Sequence, residues 1–254
     1  MKNKWLLSLF SVILLSLGWF GVTGFTLFFA LVPLLLISRS YDASPRSFLR
    51  TAGWAALIFG VQNIVYRWDM WRADLGAATT STVVHILLAG GVFMIYHYMS
   101  KRARPALANV ALVCGWIAAE YLCLTGKIPF PELILGNGFA NDAWAVQWYR
   151  YTGVLGGTLW VLVANLLVFE FLVSRERRWL VGAGAFILVP VIVSLVMLWA
   201  CNQPVCGIEA PLSEDVTFYT KYGDWPGRAA VYVFLLCLLY YVAYRYRRRS
   251  HLVE

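Results

Sequence analysis

Glu120 has the strongest chemical claim in this chain of 254 residues, because its carboxyl is set in an apolar run, ALVCGWIAAEYLCL. An ionisable group so placed is expected either to serve a function or to hydrogen-bond a neighbouring helix and hold a bundle together. Cys201 and Cys206 come next. Their spacing through a proline turn, CNQPVC, lets a small disulfide close at a membrane surface or leaves two thiols. An acyl-accepting nucleophile would need a base and an oxyanion hole nearby, and no such motif accompanies either cysteine. His85 and His97 stand about three helical turns apart, too far to share a metal. No acidic residue or cysteine stands near them at ligand spacing, so neither a metal site nor a cofactor is expected. A Ser-His-Asp arrangement, a phosphate-cradling glycine loop and an internal repeat are all missing from the sequence, so no catalytic residue is assigned.

These residues are positioned by membrane-spanning segments. The chain is 61% hydrophobic and 13% charged, with mean hydropathy +0.68, a composition that leaves too little polar surface for a water-soluble domain. A bilayer core of about 30 Å needs roughly 20 apolar residues per helix. Eight apolar runs answer to that, at 5–17, 22–37, 51–66, 80–99, 107–124, 152–173, 180–200 and 229–244. The fold class is therefore an all-α integral membrane protein of eight transmembrane helices, a single polytopic domain over 1–254. The first two runs are short and separated by GWFG, which implies tilt or a tight helical hairpin. Lys2 and Lys4 precede an apolar run with no small-residue cleavage site, so an uncleaved anchor is expected. Cys114, Cys123 and Cys237 fall inside spans, where a thiol serves as a small packing residue.

Orientation follows from the basic residues. Most of the 21 Lys and Arg lie at 2–4, 39–50, 101–104, 175–178 and 245–249, all on one side of an eight-span topology. Basic residues favour the cytoplasm, so both termini are expected there. The terminal RYRRR is then a membrane-surface anchor, and a nucleic-acid partner is excluded because no aromatic-lined basic groove accompanies it. Three longer loops, 67–79, 125–151 and 201–228, fall on the outer face, where recognition or chemistry is expected.

The segment 128–167 is the richest of these. It runs from a proline-rich start through a Gly/Asn bend into Trp144, Trp148, Tyr149 and Tyr151, with Asn137, Asn141 and Gln147 interspersed. Interfacial aromatics anchor many membrane proteins; this density, with polar groups between, also suits a surface that holds an amphiphile. Gly153, Gly156 and Gly157 are expected to let the sixth span pack closely on a neighbour.

The LGNGFAND bend, the QWYRYTGVLGG run and the helix ending in VANLL resemble the apolipoprotein N-acyltransferases. Elsewhere ALVPLLL, the WIAAEYL pattern around Trp116 and Glu120, and TFYTKYGDWPGR, with Tyr222, Gly223 and Asp224 leading to the last span, resemble the same family. The resemblance implies a bacterial inner-membrane protein of lipoprotein maturation, with its main loops periplasmic. It implies phospholipid and diacylglyceryl lipoproteins as partners. Members of that family move an acyl chain from a phospholipid to a lipoprotein amino terminus, through a cysteine thioester in a Glu, Lys, Cys set. Those residues belong to a nitrilase-like domain between the seventh and eighth spans, where this chain has only 201–228. Such a domain takes on the order of 200 residues, so it is expected to be absent here.

Two other departures accompany this one: FPEL at 130–133 in place of a Trp-rich turn, and VQNIVYRWDMW at the end of the third span, which keeps Asn63 and two tryptophans. Lys127 and Glu132 with Cys201 or Cys206 repeat the residue types of the set without the scaffold that would fix them. Three readings stand open: a non-catalytic docking module, the membrane half of an enzyme completed by a separate nitrilase-like subunit, and a vestigial or structural protein. The docking residues expected under the first are Asn137, Asn141, Gln147, Trp148, Tyr149, Tyr222, Gly223 and Asp224.

Overall fold

The structure is a computed structural model that describes residues 3–126, 134–201, 219 and 222–250. Helix dominates them, in the order α1 (Lys4–Trp19), a 3₁₀ turn (Gly24–Thr26), α2 (Leu27–Ala30), α3 (Val32–Arg39), α4 (Pro45–Tyr66), α5 (Trp68–Ala73), α6 (Leu75–His85), a π turn (Ile86–Gly90), α7 (Gly91–Ser100), α8 (Pro105–Leu124), a 3₁₀ segment (Leu135–Ala145), α9 (Tyr149–Ser174), α10 (Arg177–Cys201) and α11 (Trp225–Ser250). Among the described residues six helices are long and apolar enough to cross a membrane: Pro45–Tyr66, Leu75–Ser100, Pro105–Leu124, Tyr149–Ser174, Arg177–Ala200 and Trp225–Tyr246. Two shorter apolar helices, Lys4–Trp19 and Gly24–Arg39, stand beside them.

The short pair forms the expected hairpin, with α1 packed along both α2 and α3, and its second arm is broken. Pro33 has no N–H and its ring crowds the carbonyl four residues earlier, so the helix cannot run straight through Leu31. Asn165 of α9 repairs the break. Its side-chain oxygen accepts from Leu31 N at 2.8 Å, while its amide donates to Leu27 O at 2.7 Å and Val161 O at 2.8 Å. One side-chain amide thus bridges the donor and acceptor that an unbroken helix would have joined. Replacing Asn165 with leucine orphans a buried N–H and is expected to destabilise the protein by about 2 kcal/mol. An unchanged thermal melting curve for the detergent-purified variant would show that the break needs no bridge.

The interior is built where α1 to α4, α7 to α9 and the 3₁₀ segment meet, around Leu15, Phe28, Leu34, Phe59, Phe93, Trp116, Phe139 and Trp160. Of the six long helices, α9 is the most enclosed and α10 the least, even though α10 is the most apolar. On α10, Val181, Leu188, Ile192, Val196 and Trp199 all face outward. A helix apolar all round with so little of it covered is stable only against lipid.

Side-chain contacts gather the basic segments at one end of the bundle. Lys4 lies over the Tyr41 ring, Lys101 donates to Arg39 O, Arg102 donates to Ala43 O, and Arg245 reaches Tyr98. The opposite end carries the 3₁₀ segment Leu135–Ala145 and the start of α11. At the basic end α4 begins at a proline that follows a serine cap. Ser44 Oγ accepts from Ser47 N at 3.2 Å, and Asp42 accepts in turn from the hydroxyls of Ser47 and Ser44 and from Ser44 N. Those donors hold the Asp42 carboxyl down at about 2.

Two of the three glycines near the start of α9 behave differently from expectation, while a Cβ on the third, Gly153, would strike the Tyr219 ring. Gly153 has φ +63°, a left-handed conformation that reverses the chain. The residues before it fold back onto their own helix. A Cβ on Gly157 would strike the Tyr149 ring, and one on Gly156 would strike Thr152 and Trp148. Gly156 and Gly157 make room for this folded-back turn, not for a neighbouring helix. Of the thiols inside spans, Cys123 and Cys237 are buried and Cys114 is half-buried, all three unbridged.

Candidate functional site

Glu120 lies one turn from the end of α8, buried, and it organises the loop beyond it. Its Oε1 accepts from Trp116 Nε1 at 2.9 Å and from Leu135 N at 2.9 Å, and its Oε2 accepts from Thr158 Oγ1 at 2.5 Å. Thr158 Oγ1 accepts in turn from Gly136 N at 3.1 Å, and Tyr149 donates its hydroxyl to Gly136 O at 3.0 Å. Two successive loop amides and the next carbonyl are therefore satisfied by side chains from α8 and α9. A 3₁₀ segment leaves terminal N–H groups open, and in an apolar setting each must find a partner. Of the two roles open to Glu120, the geometry supplies the structural one.

The far side of the loop is held in the same way. Asp142 Oδ2 accepts from Gly24 N at 2.6 Å and Thr23 Oγ1 at 3.0 Å, and Asn141 donates to Gly21 O at 2.8 Å. Beneath the loop lies an aromatic cluster. Phe139 stacks on Trp160 with centroids 5.1 Å apart, Phe28 and Trp148 meet the same ring edge to face, and Phe25 stacks on Trp144. Trp160 Nε1 donates to Phe186 O on α10 at 2.8 Å. The loop is a plug pinned at both ends over a rigid aromatic floor.

Against this frame the expected docking residues divide. Asn137 and Asn141 are exposed, whereas Gln147, Trp148 and Tyr149 are half-buried. Gln147 donates its side-chain amide to Ala143 O and its backbone N–H to Ser194 on α10. Tyr222 is exposed, and Gly223 turns the chain with φ +63°. Asp224 accepts from Tyr219, and Trp225 Nε1 donates to Tyr151 O at 3.1 Å, which joins the start of α11 to the start of α9. Both groups of residues thus lie at one end of the bundle. Cys206, Lys127 and Glu132 lie outside the described residues, as does the side chain of Cys201.

Sequence reasoning passed over Asp142, Thr158 and Asn165. Each is a short polar residue whose partner lies far away in the chain, so no local spacing marks it. It also passed over a cavity of about 30 Å³ lined by Glu120, Trp116, His85, Cys123 and Ile134, among others, with room for about two water molecules. His85 faces it from the turn before the π segment. Its Nδ1 lies 3.5 Å from Asn63 Nδ2, and Asn63 Oδ1 accepts from Thr82 at 2.7 Å. Asn63 was noted in the sequence as a retained family residue, and here it ties α4 to α6.

The chain is 28% identical over 171 residues to an apolipoprotein N-acyltransferase of Chlorobaculum tepidum. It is related to the apolipoprotein N-acyltransferases. The match covers 67% of this chain and 31% of that protein, so the chain spans about a third of the relative's length. What is shared lies in a chain of apolar helices, the membrane part of such an acyltransferase. No family model matches the chain, and no solved structure matches it.

Proposed function

We propose that the chain is an N-acyltransferase-like membrane module of bacterial lipoprotein maturation. It docks phospholipid and diacylglyceryl lipoproteins and performs no acyl transfer alone. The observation that carries this reading is the connection between α10 and α11. The first ends at Cys201 and the second begins at Trp225. A stretch this short is below the roughly 40 residues at which a chain folds without disulfides or metals, let alone a nitrilase-like domain. A family name transfers a fold, not a nucleophile.

In this reading all eight apolar segments cross the bacterial inner membrane, with both termini cytoplasmic and the pinned loop periplasmic. The gathering of basic residues at one end supports that orientation. Asn137 and Asn141, together with Gln147, Trp148, Tyr149, Tyr222, Gly223 and Asp224, form the docking rim. A second reading, in which a separately encoded nitrilase-like subunit completes an enzyme, is favoured by Trp199, Tyr222 and Trp225. These three exposed aromatics flank the α10–α11 connection.

Complementation separates the readings. The chain is expressed in a strain depleted of its own N-acyltransferase, and lipoprotein amino termini are followed by mass spectrometry. No triacylated product above empty vector is expected, with membrane expression confirmed. Product from the purified protein alone would overturn the non-catalytic reading, and product only in the presence of a co-purifying nitrilase-like chain would establish the second one.

A further inference from the structure

A second concavity lies at the opposite end from the pinned loop. Tyr98 and Arg102 flank the turn into α8, whereas Glu120 sits about 22 Å further along that helix. The concavity is a groove of about 440 Å³ between α7, the start of α4 and the middle of α11, lined by Phe48, Gly91, Met94, Tyr98, Leu238 and Tyr241 among others. Its walls are almost wholly apolar.

Its mouth is cationic. Arg245 donates to the Tyr98 hydroxyl at 2.6 Å, and the Arg102 guanidinium lies 4.2 Å from the centroid of the same ring. Tyr98 lines the groove itself and packs edge to face on Tyr241, with centroids 5.9 Å apart. One tyrosine therefore holds two guanidiniums at the rim of an apolar slot. Among the described residues no acidic side chain pairs with either arginine; the ion pair there is Arg178 with Glu176, elsewhere on the surface. Asp42 acts electrostatically on Lys101, whose ammonium is pushed down by burial and by Arg39. Arg102 spends one nitrogen on Ala43 O, and Arg245 donates to Tyr98 with the Tyr241 hydroxyl also beside it; a guanidinium has five N–H donors, so each fork keeps some for an anion.

We propose that this groove seats an acyl chain of an anionic phospholipid whose phosphate is held by Arg102 and Arg245. The apolar length of the slot accounts for the chain, and the two arginines, with no acidic ion-pair partner among the described residues, account for the preference for net negative charge. A zwitterionic lipid carries its own cation to the rim and loses that preference. The site is independent of the function proposed above, being built from other helices at the other end of the bundle.

Gly91 supplies a clean test. It is helical, it lines the groove, and a Cβ there meets nothing within 4 Å. Gly91→Leu therefore fills the slot while improving helix propensity. Delipidated protein in detergent is titrated with dioleoyl phosphatidylglycerol or dioleoyl phosphatidylethanolamine, and bound lipid is counted by native mass spectrometry. Wild type is expected to retain the anionic lipid about tenfold better. Arg102→Gln with Arg245→Gln should bring it down to the level of the zwitterionic lipid, and Gly91→Leu should remove most retention of both. Equal retention of the two lipids by wild type, or undiminished phosphatidylglycerol retention by Gly91→Leu, would mean ordinary annular lipid and would overturn the proposal. The wild-type comparison and the arginine pair decide the matter even if Gly91→Leu fails to fold.

Discussion

Replacing Glu120 with alanine is expected to destabilise the protein by about 4 kcal/mol and to lower its melting temperature in detergent by on the order of 10 °C. The carboxylate receives Trp116 Nε1, Leu135 N and Thr158 Oγ1. Alanine leaves the first two buried without an acceptor, at roughly 1–3 kcal/mol each. Low dielectric raises the penalty for an incomplete network. Glu120→Gln keeps one carbonyl oxygen for the indole and the loop amide, and its new amide can donate to Thr158 after that hydroxyl rotates, so the loss should be less than half as large. The pattern distinguishes this role from a catalytic one, which would leave the melting temperature unchanged in both variants. An alanine variant that melts within about 2 °C of wild type would show that the loop does not depend on this carboxyl.

Gly136→Ala should be comparably severe, for a different reason. A Cβ at this position would sit 2.0 Å from Val154 O and 3.3 Å from Thr158 N, both backbone atoms of α9. A flexible side chain could swing away, but a helix backbone cannot, so the loop must lift off α9. Overpacking of this kind commonly takes 1–3 kcal/mol. Here it also pulls Gly136 N from Thr158 and Gly136 O from Tyr149, which brings the expected total to about 4 kcal/mol. Limited proteolysis within 134–146 should then become faster than in wild type, while the spans stay protected. If the variant is cleaved at the wild-type rate, the close approach is dispensable.

The two predictions share a cause, and that cause separates what could be read in the chain from what could not. Membrane character, all-helical class and most span positions are local properties. They follow from apolar runs bounded by charge, as at Pro105–Leu124 and Trp225–Tyr246. The short apolar runs and the GWFG link likewise marked the first hairpin, and Glu120 stood out because a carboxyl in such a run needs an explanation. The family relationship was legible too, in the bend and helix that run from LGNGFAND to VANLL.

Which partners the polar groups find was decided only by folding. Asn165 repairs a break in a helix far earlier in the chain, Asp142 caps the turn at Gly24, and Thr158 passes Gly136 to Glu120. Neither spacing nor periodicity couples residues so distant. Gly156 and Gly157 were read as a helix-packing face, and the left-handed turn at Gly153 gave them Trp148 and Tyr149 of their own segment instead. A sequence written along one dimension shows which side chains must leave water. Once they have left it, buried donors and acceptors are required to find partners, and such partners can be found only in three dimensions. That requirement made a pinned plug of the loop and drew two arginines to one tyrosine at the other end.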